Sequence, residues 1–473
     1  MTESGFAAVV LAAGQGTRMK SALPKVLHRV CGLPMLAHVV LAAKAAGASR
    51  VVVVVGHGRA EVEKDLAARF GAEVTTAVQT EQKGTGHAAL SAMPALEGYR
   101  GTVAILAGDT PLLPAEAIAS LVKARGGRPL AVLTSTLEDP TGYGRILRDA
   151  AGQAVGIREH KDASEAERAI KEWNTGVYAI DAEFLRRALP TLGTNNAQGE
   201  LYLTDLVERA AKEGGAATSG WRASDVAGVN DRAQLAEVEE VMRVRIATAH
   251  ARRGVTIRDP KTAYLDATVT IGEDATIEPN VHLRGKTSIG AGARVDTGTV
   301  LTDVVVHPRA VLKPYTIGEK SEIGEAAQIG PFSHLRPESV LAADVHIGNF
   351  VETKKTLVGK GSKANHLAYL GDGVIGEGVN VGAGTIFCNY DGFAKHVTVL
   401  EDGVFVGSDS QLVAPVKVGK NANVAAGTTV TMDVPEDALA ISRTKQSNKE
   451  GVAAKLRARM KSSADAAKAA AKK

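Results

Sequence analysis

Aliphatic residues recur at intervals of six in the second half of the chain, and this interval is the strongest pattern in the sequence. Six is a multiple of neither 3.6 nor 3.5 residues, so the pattern argues against an amphipathic helix or a coiled coil. It favours short strands that each place one side chain inward, as in a solenoid of parallel β-coils. The predicted inward positions are Ile271, Ile277, Leu283, Ile289, Val295 and Leu301, then Val305, Val311, Ile317, Ile323, Ile329, Leu335, Leu341 and Ile347, and finally Leu400, Val406, Leu412, Val418, Val424 and Val430.

The first half alternates short apolar runs with helical patterns. Strands are predicted at residues 7–12, 51–55, 103–106 and 130–134, with helices at 35–46 and 115–124 among them. This alternation predicts an α/β domain with a mostly parallel sheet. Ligands of such sheets bind at the carboxyl ends of the strands.

A helix is predicted between the two halves. Asp231 can cap its start, and Gly254 lies near its end. Its apolar residues share one stripe, as expected when one helix face is buried: Leu235, Val238, Val241, Met242 and Ile246. The sequence thus divides into an α/β domain at 1–230, a linker helix at 231–254, a β-helix at 255–447 and a basic Ala/Lys-rich tail at 448–473.

Composition narrows the class of protein. No apolar run approaches the roughly 20 residues that span a bilayer, and the first residues lack the features of a signal peptide. We therefore expect a cytoplasmic protein without membrane insertion. Cys31 and Cys388 are too few for a disulfide framework and match no metal-ligand spacing.

The net charge of +4 is unevenly distributed. From Lys445 onward nine Lys and Arg residues face two acidic ones, which leaves about −3 for the rest of the chain. The body is therefore no nucleic-acid surface, and an aromatic content of 4% argues against base stacking. The tail predicts either a frayed helix or a disordered segment.

A glycine-rich turn follows the first predicted strand. Gly14-Gln15-Gly16-Thr17-Arg18 lacks the third glycine of the dinucleotide fingerprint and the Gly-Lys-Ser/Thr of the phosphate-binding loop. Its glycines would let backbone N–H groups approach a polyphosphate, and Arg18 and Lys25 would supply positive charge. The alternative is a surface turn with two solvated cations.

The run from Leu11 to Arg18, followed by Pro24-Lys25, resembles the sugar-phosphate nucleotidyltransferases. The resemblance implies catalytic roles for Arg18 and Lys25 and a Mg²⁺ site at Asp109 and Asn230. It also implies that UTP and a sugar 1-phosphate bind to Leu11, Ala12, Ala13, Gly14, Lys25, Gln79, Gly84, Thr85, Gly144, Glu159, Asn174 and Asn230.

The chemistry of these residue types agrees with that reading. The Gln79 amide can both donate to and accept from the imide edge of uracil. One carboxylate and one amide oxygen suit Mg²⁺, which prefers oxygen ligands and keeps several waters. The implied reaction is in-line displacement at the α-phosphorus of UTP, and the attacking phosphate needs no general base.

The second half carries tandem Ile-Gly and Val-Gly steps that resemble the hexapeptide-repeat acyltransferases, such as Ile323-Gly324 and Val406-Gly407. That family implies a left-handed parallel β-helix with three hexads in each coil. The six-residue pattern fails between Ile347 and Leu400. Sequence rules are expected to break at functional sites, so we predict a site in this stretch.

The residues of this stretch closely resemble the acetyltransferase half of a bacterial family that joins N-acetylglucosamine-1-phosphate uridyltransferase to glucosamine-1-phosphate acetyltransferase. Together with the first half, the resemblance runs in the same order from about Phe6 to Lys449. It implies two-step synthesis of UDP-N-acetylglucosamine by a homotrimer. The implied residues are His366 as base, Arg336, Lys354, Tyr369, Asn380, Asn389 and Tyr390 for glucosamine 1-phosphate, and Ala383, Ser408, Ala426 and Arg443 for acetyl-coenzyme A.

Acetyl transfer to an amine needs a base, because an ammonium has no lone pair. Histidine suits that role with an ordinary pKa near ~6.5. A lone histidine in a β-helix can also be an ordinary wall residue. The sequence departs from our expectation for the family at Lys83, Asp231 and Asn365.

Two other functions remain open at this point. The chain could be a sugar-1-phosphate nucleotidyltransferase whose β-helix only oligomerises, in which case acetyl-coenzyme A would release no thiol. It could also be a scaffold without enzymatic activity, and loss of the Asp109 carboxylate would then change nothing.

Overall fold

The structure is a computed structural model that describes residues 5–470, in which a first compact unit extends to Ser288 and a second begins at Ile289. The first unit contains a sheet, a linker helix and the first coils. The second contains the remaining coils and the C-terminal helix. The segment boundaries at 230, 254 and 447 stay a prediction.

The first unit begins with a nine-stranded sheet of order β5-β4-β1-β6-β10-β7-β11-β9-β8. Strands β1, β4, β5 and β6 are parallel, β11 is parallel to β7, and β10 runs antiparallel to both β6 and β7. The elements in chain order are β1 (Phe6–Leu11), β2 (Arg29–Val30), β3 (Leu33–Pro34), α1 (Met35–Ala45), β4 (Ala48–Val55), α2 (Arg59–Phe70), β5 (Thr75–Val78), α3 (Thr85–Ser91), β6 (Thr102–Ala107), α4 (Ala115–Arg125), β7 (Leu130–Thr136), β8 (Arg145–Arg148), β9 (Ala154–Arg158), α5 (Glu165–Arg168), β10 (Glu172–Asp181), α6 (Ala182–Ala188), α7 (Asp205–Glu213), β11 (Ala216–Gly220) and α8 (Ala223–Val226).

The central strands are apolar along their whole length because helices cover both faces of the sheet. Alternate residues of β1 belong to two different cores, with Val9 in one and Val10 in the other. The predicted strands and helices are confirmed, and most of their ends lie within about two residues of the predicted positions.

The linker helix α9 spans Arg232–Ala251. The Asp231 side chain caps it by accepting from the Gln234 N–H at 2.9 Å, as predicted. Val238 and Met242 are buried in one cluster with Met35 and Leu112, but Val241 is 39% exposed. The prediction was wrong for Val241 because the helix packs on one side only, along a stripe too narrow to include it.

The first coils follow α9 directly. Their strands are β12 (Thr256–Ile257), β13 (Tyr264–Leu265), β14 (Thr270–Ile271), β15 (Thr276–Ile277), β16 (His282–Arg284) and β17 (Ser288–Ile289). Strand β12 pairs in parallel with β15, and β13 with β16.

The second unit is a triangular parallel β-helix in which each strand pairs with the strand three positions later, so that three flat faces form. Strands β18, β21, β24, β27, β30, β33, β36, β39 and β41 form the first face; β19, β22, β25, β28, β31, β34, β37 and β40 form the second; β20, β23, β26, β29, β32, β35 and β38 form the third. Their bounds are β18 (Arg294–Val295), β19 (Val300–Thr302), β20 (Val305–Val306), β21 (Val311–Leu312), β22 (Ile317–Glu319), β23 (Glu322–Ile323), β24 (Gln328–Ile329), β25 (His334–Leu335), β26 (Val340–Leu341), β27 (His346–Asn349), β28 (Glu352–Lys354), β29 (Leu357–Val358), β30 (Lys363–His366), β31 (Tyr369–Gly371), β32 (Gly373–Ile375), β33 (Asn380–Val381), β34 (Ile386–Cys388), β35 (Thr398–Leu400), β36 (Phe405–Val406), β37 (Gln411–Val413), β38 (Val416–Val418), β39 (Asn423–Val424), β40 (Thr429–Val430) and β41 (Leu439–Ala440).

The C-terminal helix α10 spans Val452–Ala470, so the tail forms a helix within the described residues. Among residues 5–470, no helix is both long and apolar enough to cross a bilayer.

The inward positions differ from the predicted ones in part of the β-helix. Val305 and Ile317 are 42% and 46% exposed, whereas Val306, Leu312 and Gly318 are buried. Two steps between inward residues, Leu301 to Val306 and Gly318 to Ile323, contain five residues instead of six. In this stretch a strict interval of six therefore predicted the wrong residue as inward. It chose the residue just before the inward one, and that residue faces outward.

The ladder also continues where the sequence pattern fails. Between Ile347 and Leu400 the inward positions are filled by Thr353, Val358, Ala364, Leu370, Ile375, Val381 and Phe387. Five-residue steps and small or polar inward residues obscure the interval of six. The true interruption is the loop at residues 389–397 that follows β34.

The corrected register predicts unequal effects for two adjacent valines. Val306→Ala should lower the free energy of unfolding by about 2 kcal/mol, because it removes buried methyl groups and leaves a cavity. Val305→Ala should change it by less than about 0.5 kcal/mol, because the side chain is partly exposed. Chemical denaturation of the two variants measures the difference. A larger effect at Val305 would contradict the register.

Candidate active sites

A cavity of about 430 Å³ lies at the carboxyl ends of the central strands in the first unit. Eleven of the residues predicted for the nucleotide, sugar and metal line it: Leu11, Ala12, Ala13, Gly14, Lys25, Gln79, Gly84, Thr85, Asp109, Glu159 and Asn174. They come from separate parts of the chain, and the parallel strands bring them to one edge of the sheet.

Two cationic side chains and two side chains with oxygen atoms meet at this edge. Arg18 Nη2 donates to Asn230 Oδ1 at 2.9 Å, and Lys25 Nζ donates to the same oxygen at 3.1 Å. Lys25 also forms an ion pair with the Asp109 carboxylate. The structure thus joins all four residues predicted for phosphate chemistry.

These residues fit a divalent cation. The Lys25 ammonium contacts both the Asp109 carboxylate and the Asn230 amide oxygen, so the two oxygens converge on one positive group. Such a donor set suits Mg²⁺. Among residues 5–470, no group of three or more His, Cys, Asp and Glu side chains could hold a metal. Mg²⁺ usually takes its other ligands from water and substrate phosphates.

Backbone hydrogen bonds fix the loops that contain Asp109 and Asn230, the predicted metal ligands. The Val229 N–H donates to the Asp109 carbonyl at 2.9 Å, and the Gly108 N–H donates to the Leu11 carbonyl at 2.9 Å. A Cβ on Gly108 would lie 2.9 Å from that Leu11 oxygen. Glycine is required here because β1 and the Asp109 loop approach so closely.

The segment predicted to read uracil is fastened to a loop that the sequence analysis missed. Gln79 Nε2 lies 3.2 Å from both the Gly84 carbonyl and His87 Nδ1. The Leu201 N–H donates to the Lys83 carbonyl at 2.8 Å, and the Leu201 carbonyl accepts from the Gly86 N–H at 2.8 Å. The two segments therefore form one wall of the cavity.

The end of the cavity predicted to bind the sugar is lined by the buried side chains of Asn174 and Tyr178. Asn174 Nδ2 donates to the Tyr178 hydroxyl at 2.7 Å, and its N–H donates to the Gly144 carbonyl at 2.9 Å. Burial raises the pKa of Glu159 above its ordinary value. A carboxylate that has lost part of its hydration is stabilised by hydroxyl donors, so Glu159 suits a ligand that carries hydroxyl groups.

The structure adds lining residues that carry no recognisable motif. They are Val26, Gln82, Ala88, Tyr178, Glu200, Leu203 and Thr204, beside Gly16, Ala107 and Gly176, which belong to the predicted motifs. The position of Tyr178, four residues after Asn174 on β10, is the one signal that could have indicated such a residue.

The predicted acetyl-coenzyme A residues of the second unit lie along one corner of the β-helix. The Asp409 N–H donates to the Ala383 carbonyl at 2.7 Å, and the Gly427 N–H donates to the Ser408 carbonyl at 2.8 Å. Arg443 donates to the Ala426 carbonyl. Ala383, Ser408 and Ala426 thus stack in successive coils.

His366 lies exposed at the same corner. It ends β30, and the following residue, Leu367, accepts at its carbonyl from the Gly384 N–H at 3.0 Å. His366 and Ala383 immediately precede these two bonded residues, Leu367 and Gly384, so they occupy equivalent positions in successive coils. The predicted base therefore lies at one end of the column of predicted coenzyme residues.

Cationic side chains follow the second face. Arg336 Nη1 donates to Glu352 Oε1 at 2.7 Å, and this bond raises the pKa of Arg336. The neighbouring Lys395 ammonium lowers the pKa of Lys354. Two ammonium groups that lie together favour an anion between them, so Lys395 joins the candidate phosphate clamp. The sequence analysis missed it because the loop interrupts the repeat.

Tyr369 and Asn389 meet above Gly371. A Cβ on Gly371 would clash with the Tyr369 hydroxyl and lie 2.8 Å from the Asn389 nitrogen. Asn389 Nδ2 donates to Asp372 Oδ2 at 2.6 Å. Asn380, by contrast, lies on the first face in register with Lys363, on a different strand column from Tyr369.

The interrupting loop has its own internal bonds. Asp391 accepts from the Ala394 and Phe393 N–H groups at 2.7 and 2.8 Å and bonds His396 Nε2 at 2.7 Å; these contacts lower its pKa. The Tyr390 hydroxyl donates to the Gly392 carbonyl at 2.6 Å, and its side chain is exposed. The loop therefore presents Tyr390 from a fixed turn.

Models of three domain families match separate parts of the chain. A MobA-like NTP transferase domain matches residues 8–172. The C-terminal domain of GMPPB matches residues 260–330, and a hexapeptide repeat of succinyl-transferase matches residues 397–432. These matches confirm the predicted fold class, a nucleotidyltransferase domain followed by a left-handed parallel β-helix.

Curated relatives match along nearly the whole chain. A bifunctional protein GlmU from Sorangium cellulosum is 62% identical over 464 residues, which cover 97% of this chain and 98% of the relative. A protein of the same name from Anaeromyxobacter sp. is 53% identical and covers 98% and 96%, and one from Trichlorobacter lovleyi is 51% identical and covers 95% and 98%. Identity at this level across both halves confirms a transferase with two activities. The chain therefore belongs to the family of bifunctional GlmU proteins.

Proposed function

We propose that this enzyme acetylates glucosamine 1-phosphate in its β-helix and then transfers uridylyl from UTP to N-acetylglucosamine 1-phosphate in its first unit. The product is UDP-N-acetylglucosamine. The observation that carries the second step is the meeting of Arg18, Lys25, Asp109 and Asn230 from four parts of the chain. The column that runs from His366 along one corner supports the first.

Uridylyl transfer is an in-line displacement. A phosphate oxygen of the sugar phosphate attacks the α-phosphorus of UTP, the bond to the bridging oxygen breaks, and pyrophosphate leaves with the electron pair. Arg18 and Lys25 stabilise the charge on the leaving group, while Glu159 and Asn174 orient the sugar. Asp109 and Asn230 would hold Mg²⁺, which supplies positive charge to the phosphates.

Acetyl transfer requires a deprotonated amine. His366 takes one proton from the protonated amine, the nitrogen attacks the thioester carbonyl, and the carbon–sulfur bond breaks. The coenzyme leaves as a thiolate, which takes up the second amine proton. Arg336, Lys354 and Lys395 hold the sugar phosphate through charge-assisted bonds. Tyr369, Asn380, Asn389 and Tyr390 hold the sugar, and Ala383, Ser408, Ala426 and Arg443 hold the coenzyme.

The protein assembles as a homotrimer in the cytoplasm. An exposed column of apolar side chains supports the assembly: Tyr315, Phe332, Phe350 and Leu367 are each about half exposed, and the three rings stack at 5.2 and 5.6 Å. Neighbouring copies would cover this column. The two unpaired cysteines agree with a reducing compartment.

Asp109→Asn should lower pyrophosphate release by on the order of 10²–10³-fold, because a neutral amide replaces the charged metal ligand. Thiol release should stay within about twofold of wild type, since acetyl transfer occurs in the other unit. Separate assays of pyrophosphate and thiol measure the two effects, with Asp65→Asn on α2 as a matched surface control. Unchanged pyrophosphate release would remove Asp109 from the site.

His366→Ala should lower thiol release by on the order of 10²–10⁴-fold, the usual contribution of a general base. Pyrophosphate release from N-acetylglucosamine 1-phosphate should be unaffected. His307→Ala, an exposed histidine paired with Glu322, is the control. A simultaneous loss of both activities in folded His366→Ala protein would contradict two independent sites.

Lys395→Met should raise the KM for glucosamine 1-phosphate about tenfold, because it removes one charge-assisted bond worth about 1.4 kcal/mol. The KM for UTP should not change. Lys417→Met, which breaks a surface pair with Glu401, controls for loss of charge. An unchanged KM for the amine substrate would exclude Lys395 from the clamp.

A further inference from the structure

The linker helix α9 bonds to each segment that builds the phosphate and metal site. Arg232 Nε donates to the Met19 carbonyl at 3.3 Å, next to Arg18. The Gln234 amide oxygen accepts from the Asn230 N–H at 2.7 Å. Glu239 accepts from the Cys31 N–H at 2.7 Å, in the hairpin that follows the Lys25 segment. The helix is therefore more than a connection to the β-helix.

Arg245 makes the most informative of these contacts. Its Nη1 donates to the Leu112 carbonyl at 2.7 Å, and its Nη2 donates to Asp225 Oδ1 at 3.0 Å. Leu112 lies three residues after Asp109, and Asp225 lies five residues before Asn230. One guanidinium thus joins the loop that follows Asp109 to α8, the short helix that precedes Asn230.

The Asp225 carboxylate, which accepts from Arg245, is buried and bonded to several donors. Asp225 is only 4% exposed, and a buried carboxylate is costly unless it is paired. Arg222 Nε and Trp221 Nε1 share its other oxygen at 3.0 and 3.3 Å. Arg222 is exposed and immediately precedes α8, which contains Asp225, so it cannot connect this segment to the Asp109 loop. Arg245 alone among these partners connects the two.

We propose that Arg245 is a positioning residue that sets the separation of the Asp109 carboxylate and the Asn230 amide oxygen, and thereby the affinity of the first unit for its divalent cation. The planar guanidinium suits this role because two of its N–H groups can reach acceptors on different loops at once. The inference rests on the proposed uridylyl transfer, since that reaction requires the cation.

The test measures metal binding without turnover. Mn²⁺ is titrated by paramagnetic resonance into full-length protein with UTP and no sugar phosphate, and the component lost in Asp109→Asn defines the site. Arg245→Met should weaken this component about tenfold and raise by a similar factor the Mg²⁺ concentration that half-activates pyrophosphate release. Maximal release at saturating Mg²⁺ should largely recover.

Two further variants keep the test decisive. Arg253→Met removes the same charge near the exposed end of the helix and should bind Mn²⁺ as wild type does. Arg245→Lys keeps the charge but reaches one loop at a time, so it should weaken binding less than Arg245→Met. If Arg245→Met does not fold, as judged by circular dichroism and thermal unfolding, Arg245→Lys alone must show weaker binding.

Wild-type affinity in Arg245→Met, or in Arg245→Lys where the first variant does not fold, would overturn the proposal. So would a loss of pyrophosphate release with unchanged metal affinity. A wild-type protein that binds Mn²⁺ through Asp109 but releases no pyrophosphate would contradict the proposed uridylyl transfer and leave the role of Arg245 intact.

Discussion

The contact of the Lys25 ammonium with the Asp109 carboxylate and the Asn230 amide oxygen is the constraint on which the first unit depends. Bringing charged groups together from distant parts of a chain costs hydration, and like charges among them repel. The backbone must therefore fix their positions so that opposite charges meet. Here the parallel strands bring the loops to one edge, and the Val229 bond to the Asp109 carbonyl holds the loops together. The linker helix then secures the outer side of the same loops.

The reaction proposed for the β-helix has a different requirement, which is that an extended acyl donor binds beside an amine. Stacked coils repeat the same corner at regular spacing, so small residues such as Ala383 and Ala426 recur at one corner, where the proposed reaction places a flexible acyl donor. His366 lies at one end of that corner, where the thioester carbon would meet the amine. In the proposed reaction the cations on the second face bind the phosphate of the sugar.

Much of this could be predicted from sequence, because strong local rules agree with the fold. Alternating apolar runs predict the sheet, and the Asp231 cap predicts the start of α9. The β-helix register was harder. A five-residue step has no sequence signal when both Val305 and Val306 are apolar, and an inward Thr353 looks polar although it bonds Ser339 inside the coil at 2.9 Å.

The sequence analysis missed several site residues for the same physical reason. Lys395 lies in a loop that interrupts the repeat, and Glu200 and Leu203 lie in a loop that bonds to residues 83–86 and lines the cavity of the first unit. Arg245 acts across a sequence separation of 133 residues. Local patterns carry no information on such contacts, which depend on how the elements pack.

The most direct measurement supplies wild-type protein with glucosamine 1-phosphate, acetyl-coenzyme A, UTP and Mg²⁺ and follows free thiol and pyrophosphate separately. The account predicts that thiol appears first and pyrophosphate follows, because only the acetylated sugar phosphate enters the second reaction. Pyrophosphate that appears solely on addition of N-acetylglucosamine 1-phosphate, with no thiol from the amine, would contradict acetyl transfer in the β-helix.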